Sequence, residues 1–253
     1  MQISALQAFL IGVVYYLGEV GTPWLTFLVS YCGLYRPLIG GTIVGIILGD
    51  PVQGCIIGAS INLPYIAFMN VGGAAPSNPG LAGTLGTALA MAAGVGPSVA
   101  ISIAMPLGLL GTLIWIAHMS IDVLFVHVCD KAAAEGDIEK LAFWNLWPPQ
   151  IVMAIMCIVP VFIGAYYGAD VVTDVIAKLP ENIMNGLQVV GGVLPAIGIA
   201  MNLRQITRQG SLLYFILGFI LVMYLELPMI AVAIFGVIFA YTYTSLYMKD
   251  GRV

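Results

Sequence analysis

Asn62, Tyr65, Asn70, Gly72, Gly73 and Asn78 concentrate amides, a phenol and glycines within residues 62–78 of an otherwise apolar chain. Amide and phenol groups both donate and accept hydrogen bonds, and paired glycines permit close backbone approach to a ligand. These six residues are therefore the candidate lining of a substrate-binding pocket. Catalytic patterns are missing. The chain contains no P-loop, no G-x-S-x-G and no H-E-x-x-H. Glu19 is a carboxylate inside an apolar segment, open to three roles: facing a partner subunit, facing the pocket, or meeting lipid headgroups. His118 and Asp122 stand i, i+4 on one helix face, compatible with a proton relay or with a simple buried pair. His127 follows His118 by nine positions, half a turn out of phase, so the two histidines do not form a metal pair. Cys32, Cys55, Cys129 and Cys157 lie far apart with no C-x-x-C spacing and read as isolated packed thiols. No metal, cofactor or catalytic residue is expected.

The elements that must position these residues are membrane helices. Of 253 residues, 61% are apolar and 8% charged, against roughly 25% charged in an ordinary soluble domain. Mean hydropathy is +1.05. Residues 82–121 and 141–168 carry no charge, and a span needs about 20 such residues. A soluble protein would expose too much of that surface to water. The first charge is Glu19, so no basic leader segment is expected and the N-terminal stretch reads as retained structure. The net charge of −4 argues against nucleic acid. The expected fold is an all-α polytopic membrane protein, one domain over residues 1–253, with seven to nine apolar segments including broken or re-entrant half-helices. The segments run 3–33, 38–49, 51–79, 81–104, 106–129, 143–168, 184–203, 211–226 and 229–247. A polar cytoplasmic loop is expected over 130–142.

Segment 51–79 concerns the pocket directly. Asp50 before Pro51 reads as an N-cap with proline at the first helical position, although a ligand role for Asp50 is also open. Pro64 predicts that this helix ends near Ile61, with Leu63 extended. Eleven residues reach about 16 Å, half of a bilayer core of about 30 Å. The residues that follow, with Pro76 and Pro79 among them, cannot face lipid and must be buried or line a polar cavity. Half-helices ending near the midplane are how many transporters build a substrate site.

Three motifs then resemble a known family. Arg36-Pro37-Leu38-Ile39, Gly41-Thr42-x-Val44-Gly45, Leu48-Gly49-Asp50 and Gly54 form the first. His127-x-x-Asp130-Lys131-x-Ala133-x-x-Gly136-Asp137 and Asn185-Gly186-Leu187-x-x-x-Gly191-Gly192 form the second and third. In order and across nearly the whole chain, they resemble the IIC subunit of the mannose/fructose/sorbose family of phosphotransferase-system permeases. The resemblance implies a sugar-channelling subunit in the bacterial inner membrane, paired with a IID membrane subunit, with likeness to the amino-sugar or glycosaminoglycan-disaccharide branch. It also implies soluble IIA and IIB phosphocarriers, phosphorylation of the sugar by IIB, no phosphorylation site on this chain, and a homo-oligomer of IIC–IID pairs in the lipid bilayer. Arg36 before Pro37 reads as an interfacial anchor, an ion-pair partner or a subunit contact.

One departure bears on the substrate. Mannose-type members of the family usually carry glutamate where Ser60-Ile61-Asn62-Leu63-Pro64 has Asn62. An amide carries no charge and can donate as well as accept. That favours an N-acetylated hexosamine, or a disaccharide whose uronate a buried glutamate would repel, over plain mannose. The rival reading is an ion-coupled secondary transporter using Glu19, Asp50 or Asp122. Such a transporter works alone, whereas a phosphotransferase subunit is inactive without its partners.

Parity of spans places Lys131, Lys140, Arg204, Arg208, Lys249 and Arg252 on one side and Lys178 on the other. The basic-rich side is the cytoplasm. Glu135→Cys, with the native cysteines replaced, is expected to resist a membrane-impermeant maleimide in intact cells; ready labelling would reverse the topology.

Overall fold

The structure is a computed structural model. It describes residues 2–19, 22–66, 77–178, 180–183, 185–186, 189, 193, 196, 199–200, 203–204, 207 and 211–249. Every regular element among them is helical. The order is α1 (Ala5–Gly18), α2 (Phe27–Val29, running into a π-helical Ser30–Leu34), α3 (Pro37–Leu48), α4 (Pro51–Tyr65), α5 (Pro79–Ala93), α6 (Pro97–Glu135), α7 (Ile138–Tyr166), α8 (Gly168–Lys178), α9 (Ser211–Met223) and α10 (Met229–Lys249). Two compact units divide the chain, residues 1–202 and 203–253.

Local chemistry sets the helix ends. Ser4 and Gln7 form a reciprocal capping box at the start of α1, so the first orphan N–H groups are satisfied. Gly49 closes α3 with φ +93°, and Asp50 accepts from the Gln53 N–H at 2.9 Å to open α4. Between them those two residues turn the chain into a tight antiparallel hairpin. Gly41 and Gly45 on α3 then face Gly58 and Gly54 on α4. A Cβ on Gly54 would stand 2.5 Å from the Gly45 Cα, and one on Gly41 2.8 Å from the Gly58 Cα. Both helices carry a G-x-x-x-G spacing, the pattern that lets backbones touch where lipid offers no hydrophobic drive.

In the first unit α3 and α4 pack on α5, α5 on α6, and α6 on α7, while α1 lies along α7. Tyr16 donates to Gln150 at 3.0 Å, a buried tie from α1 to α7. The 39-residue α6 and 29-residue α7 are long and apolar enough to cross a membrane. The π-helical piece and α3 would make a third span, bent by 81°. In the second unit α9 and α10 are two apolar helices joined by a short turn, with Tyr214, Met229 and Phe239 among their exposed residues.

Three boundaries differ from expectation. First, α4 continues through Pro64 to Tyr65 and Leu63 is helical, not extended. Proline at that point removes only its own N–H, and the ladder resumes with Ile66 N–H to the Asn62 carbonyl at 2.9 Å. At 15 residues the helix is about 22 Å long, still short of a bilayer core. Second, the expected break near Pro106 lies at Gly94–Gly96 instead: Gly94 takes φ +65° and Pro97 starts α6, which carries Pro106 in its interior. Third, the expected 130–142 loop is two helix ends around Gly136 and Asp137. Gly136 has φ +72°, and Asp137 accepts from Lys140 N–H at 2.9 Å. The same polar, helix-forming residues are spent on helix. Expected segment 184–203 lies largely outside the described residues, as do Leu187, Gly191 and Gly192 of the third motif.

The glycine contact yields a direct check. Gly54→Leu forces apolar bulk against backbone and is expected to cost at least about 1–3 kcal/mol, read as a lowered thermal midpoint in detergent. Gly96→Ala, at φ −75° with nothing within 4 Å, meets no clash and serves as the control, losing about 1 kcal/mol or less through the poorer cap of α6.

Candidate functional site

The polar residues of the pocket segment meet where the end of α4, the start of α5, the end of α1 and the middle of α6 converge. α4 stops at Tyr65, and Ser77 and Asn78 lie outside helix before α5 begins at Pro79. Tyr65 is fully buried, and its Oη lies 3.2 Å from the Ser77 Oγ. Gly108 in α6 makes the room: a side chain there would overlap both hydroxyls. The Gly108 carbonyl accepts the Asn78 backbone N–H at 2.9 Å.

Asn78 is a junction, not a loose end. Its Oδ1 accepts from Leu81 N–H at 2.9 Å and caps α5. Its Nδ2 donates to Tyr15 Oη at 3.1 Å and to Glu19 Oε1 at 2.7 Å, both on the α1 side. Glu19 and Asn78 are each almost completely buried. The sequence singled out Glu19 as an intramembrane carboxylate without placing it among the site residues. Tyr15, Ser77 and Gly108 were not singled out. Only the i−4 spacing of Tyr15 from Glu19, and the adjacency of Ser77 to Asn78, could have flagged the first two.

Asn62 is different. It sits one turn before Tyr65 on α4, half-buried, and its Oδ1 is shielded with no hydrogen-bond partner among the described residues. The helix ends only at Ile66, so the Asn62 side chain is not the C-cap. A buried amide oxygen without a partner costs about 1–3 kcal/mol. It is poised to accept a donor that the described residues do not supply. Thus the structure brings Tyr65 and Asn78 together through Ser77 and Gly108, and puts Asn62 on the same helix as Tyr65. Asn70, Gly72 and Gly73 lie outside the described residues.

The other singled-out groups separate from this junction. Asp50 is exposed and caps α4. The Arg36 guanidinium lies over the Tyr31 ring, 5.6 Å from its centre. His118 Nε2 is 3.3 Å from Asp122 Oδ2, and His127 is exposed. A small cavity between α1, α6 and α7 is lined by Tyr15, Glu19, Trp115, His118, Met153 and Cys157. It touches the junction through Tyr15 and Glu19 alone.

Known proteins share both sequence and fold with this chain. Residues 5–242 match the family described as the PTS system sorbose-specific IIC component. The mannose-specific EIIC component of Escherichia coli (strain K12) is 30% identical over 255 residues, spanning all of this chain and 93% of the relative. The N-acetylgalactosamine permease IIC component 1 of the same organism is 32% identical over 208 residues, 82% of this chain and 78% of the relative. In the cryo-EM structure of the mannose transporter ManYZ with microcin E492, a chain 30% identical covers all of both chains with a TM-score of 0.59. With a helical membrane fold and a family match running from the first helix to the last, the chain belongs to the sorbose-specific IIC component family of phosphotransferase-system sugar permeases.

Proposed function

We propose that this chain is the sugar-translocating subunit of a phosphoenolpyruvate-dependent sugar phosphotransferase system in which Asn62 hydrogen-bonds the sugar directly. The carrying observation is the shielded Asn62 Oδ1, partnerless among the described residues, on a helix too short to cross the bilayer. A sugar hydroxyl or an acetamido N–H is a donor of the right kind. Tyr65 lies on the same helix one turn further, and Asn70, Gly72, Gly73 and Asn78 complete the proposed lining. Asn78 contributes by holding the start of α5, since its side-chain hydrogens go to Tyr15 and Glu19.

An uncharged amide at this position favours an N-acetylhexosamine or a uronate-bearing disaccharide over plain mannose. A relative named as an N-acetylgalactosamine permease supports the first class. The similarity to a chain of the ManYZ complex supports a IID membrane partner. Sugar phosphorylation by IIB, phosphate relay through IIA, assembly of IIC–IID pairs into a homo-oligomer, and a multi-pass position in the bacterial inner membrane complete the proposal. The short turn at Gly136–Asp137 between α6 and α7 would then face the cytoplasm. Uptake in cells with and without IID and IIB separates this reading from a lone ion-coupled transporter, which needs neither.

Binding to the purified IIC–IID complex tests the site. Asn62→Ala is expected to weaken affinity ten- to a hundredfold, the equivalent of about 1–3 kcal/mol. Asn62→Glu should harm a chondroitin-type unsaturated disaccharide more than Asn62→Ala does, because two carboxylates repel in a low-dielectric site. N-acetylgalactosamine, being neutral, should suffer less from the glutamate. Unchanged affinity for both sugars in an assembled Asn62→Ala complex would remove Asn62 from the site.

A further inference from the structure

We infer that Glu19 is a positioning residue for the sugar site, acting through Asn78 and not by touching sugar; this rests on the sugar-binding reading of Asn62. A carboxylate only 3% exposed is costly to retain unless its oxygens are well used. Here Oε1 takes an Asn78 Nδ2 hydrogen at 2.7 Å, a short bond between two buried groups. The Glu19 backbone is tied down as well. Its carbonyl accepts from Ser30 Oγ at 2.9 Å and Thr22 Oγ1 at 3.2 Å, and its N–H donates to the Tyr16 carbonyl at 3.2 Å. Glu19 thus joins the end of α1, the π-helical segment and the start of α5.

Asn78 passes that constraint on, because its polar groups are all engaged. The N–H goes to Gly108 O at 2.9 Å and the carbonyl accepts from Ala82 N–H at 3.3 Å. Oδ1 accepts from Leu81 N–H, and the two Nδ2 hydrogens go to Tyr15 and Glu19. An asparagine so committed has no hydrogen left for a ligand; it pins backbone. Ser77, its neighbour, meets Tyr65 Oη, and Tyr65 is three residues from Asn62 on α4. A shift of Glu19 is therefore felt at Asn62 through two hydrogen bonds, one peptide link and one turn of α4. Glutamate suits the place because a carboxylate only accepts, matching an amide hydrogen that only donates. Glutamine can turn its NH2 against the Asn78 NH2.

That donor–acceptor logic supplies the test. Glu19→Gln, Asn78→Asp and the double variant Glu19→Gln/Asn78→Asp are prepared as full IIC–IID complexes, with N-acetylgalactosamine and the unsaturated chondroitin disaccharide as probes. Aspartate is as good an N-cap as asparagine, so α5 keeps its start. Each single variant is expected to raise Kd and the uptake KM about tenfold, with maximal uptake rate within about twofold of wild type. The double variant restores an amide-to-carboxylate bond of reversed polarity and is expected to recover affinity to within about threefold of wild type. Recovery of that kind shows that the bond matters and not a carboxylate at position 19. A double variant no better than Glu19→Gln overturns the proposal, since the carboxylate would then be needed for the sugar itself. Glu19→Gln with wild-type affinity overturns it too. Should either single variant fail to assemble, the double alone decides: affinity within about threefold supports positioning, and a loss beyond about tenfold refutes it. Asn62→Ala in the same assay keeps the two readings apart. If it binds like wild type, the sugar-site assignment has failed; if it is weakened while the double is not rescued, only the role of Glu19 has.

Discussion

Backbone-to-backbone contact between α3 and α4 is the constraint on which the site depends. Four glycines remove the side chains that would hold the two helices apart, so Gly45 and Gly54 meet at their Cα atoms. The contact fixes the register of the hairpin and therefore the place where α4 stops. α5 is seated by the same device: Gly83 lies against Pro37, and the Thr87 hydroxyl lies 2.7 Å from where a Cβ on Gly41 would stand. In a hydrocarbon solvent, where apolar side chains gain little from leaving lipid for protein, close packing must supply the cohesion. α4 is held from both sides, so Asn62 and Tyr65 occupy defined positions, and Tyr65 is tied further by the contact of its hydroxyl with Ser77.

A second constraint follows from the short length of α4. A helix of about 22 Å leaves backbone ends inside the membrane, and buried N–H and C=O groups must find partners. The structure meets that demand at Asn78, which caps α5, bonds the Gly108 carbonyl and reaches Tyr15 and Glu19. Gly108 and Gly111 in α6 give it space, since a side chain at either would collide with the junction. Polar satisfaction and close packing are therefore the same design at this point. The Asn62 oxygen, without a partner among the described residues, contrasts with Asn78 in this respect.

The outer surface shows what surrounds the first unit. Ile151, Ile155, Val159 and Ile163 recur at i+4 along α7, and each is about half exposed. Such a stripe suits acyl chains or another membrane subunit, not water. α6, at 39 residues, is about 58 Å long, far more than a hydrocarbon core of about 30 Å. Its charged end, with Asp130, Lys131 and Glu135, is thereby carried beyond the apolar layer. Lys140 and Glu135 pair across the turn at 3.4 Å, an exposed contact of small energetic weight.

Charge-free stretches of span length were enough, from sequence, to establish a helical membrane protein, because a bilayer forbids unpaired backbone and charge whatever the packing. The three motifs carried the family, and the Asp50–Pro51 cap located the start of α4, since capping is local chemistry. Prolines misled for the opposite reason. Pro64 and Pro106 stand inside helices because neighbouring helices and one missing hydrogen bond make them tolerable, and local propensity does not contain the neighbours. Gly94 and Gly136 proved to be the true stops, at positive φ. Within the candidate site, Asn62 and Asn78 were visible as polar residues in an apolar run, but their contrasting situations were not. Only the tertiary structure decided that Asn78 spends its hydrogens on Tyr15 and Glu19, some sixty residues away, and that Asn62 has no partner for its oxygen among the described residues. Sequence shows which groups can hydrogen-bond; whether a partner is within reach depends on helices brought together by glycines that have no chemistry of their own.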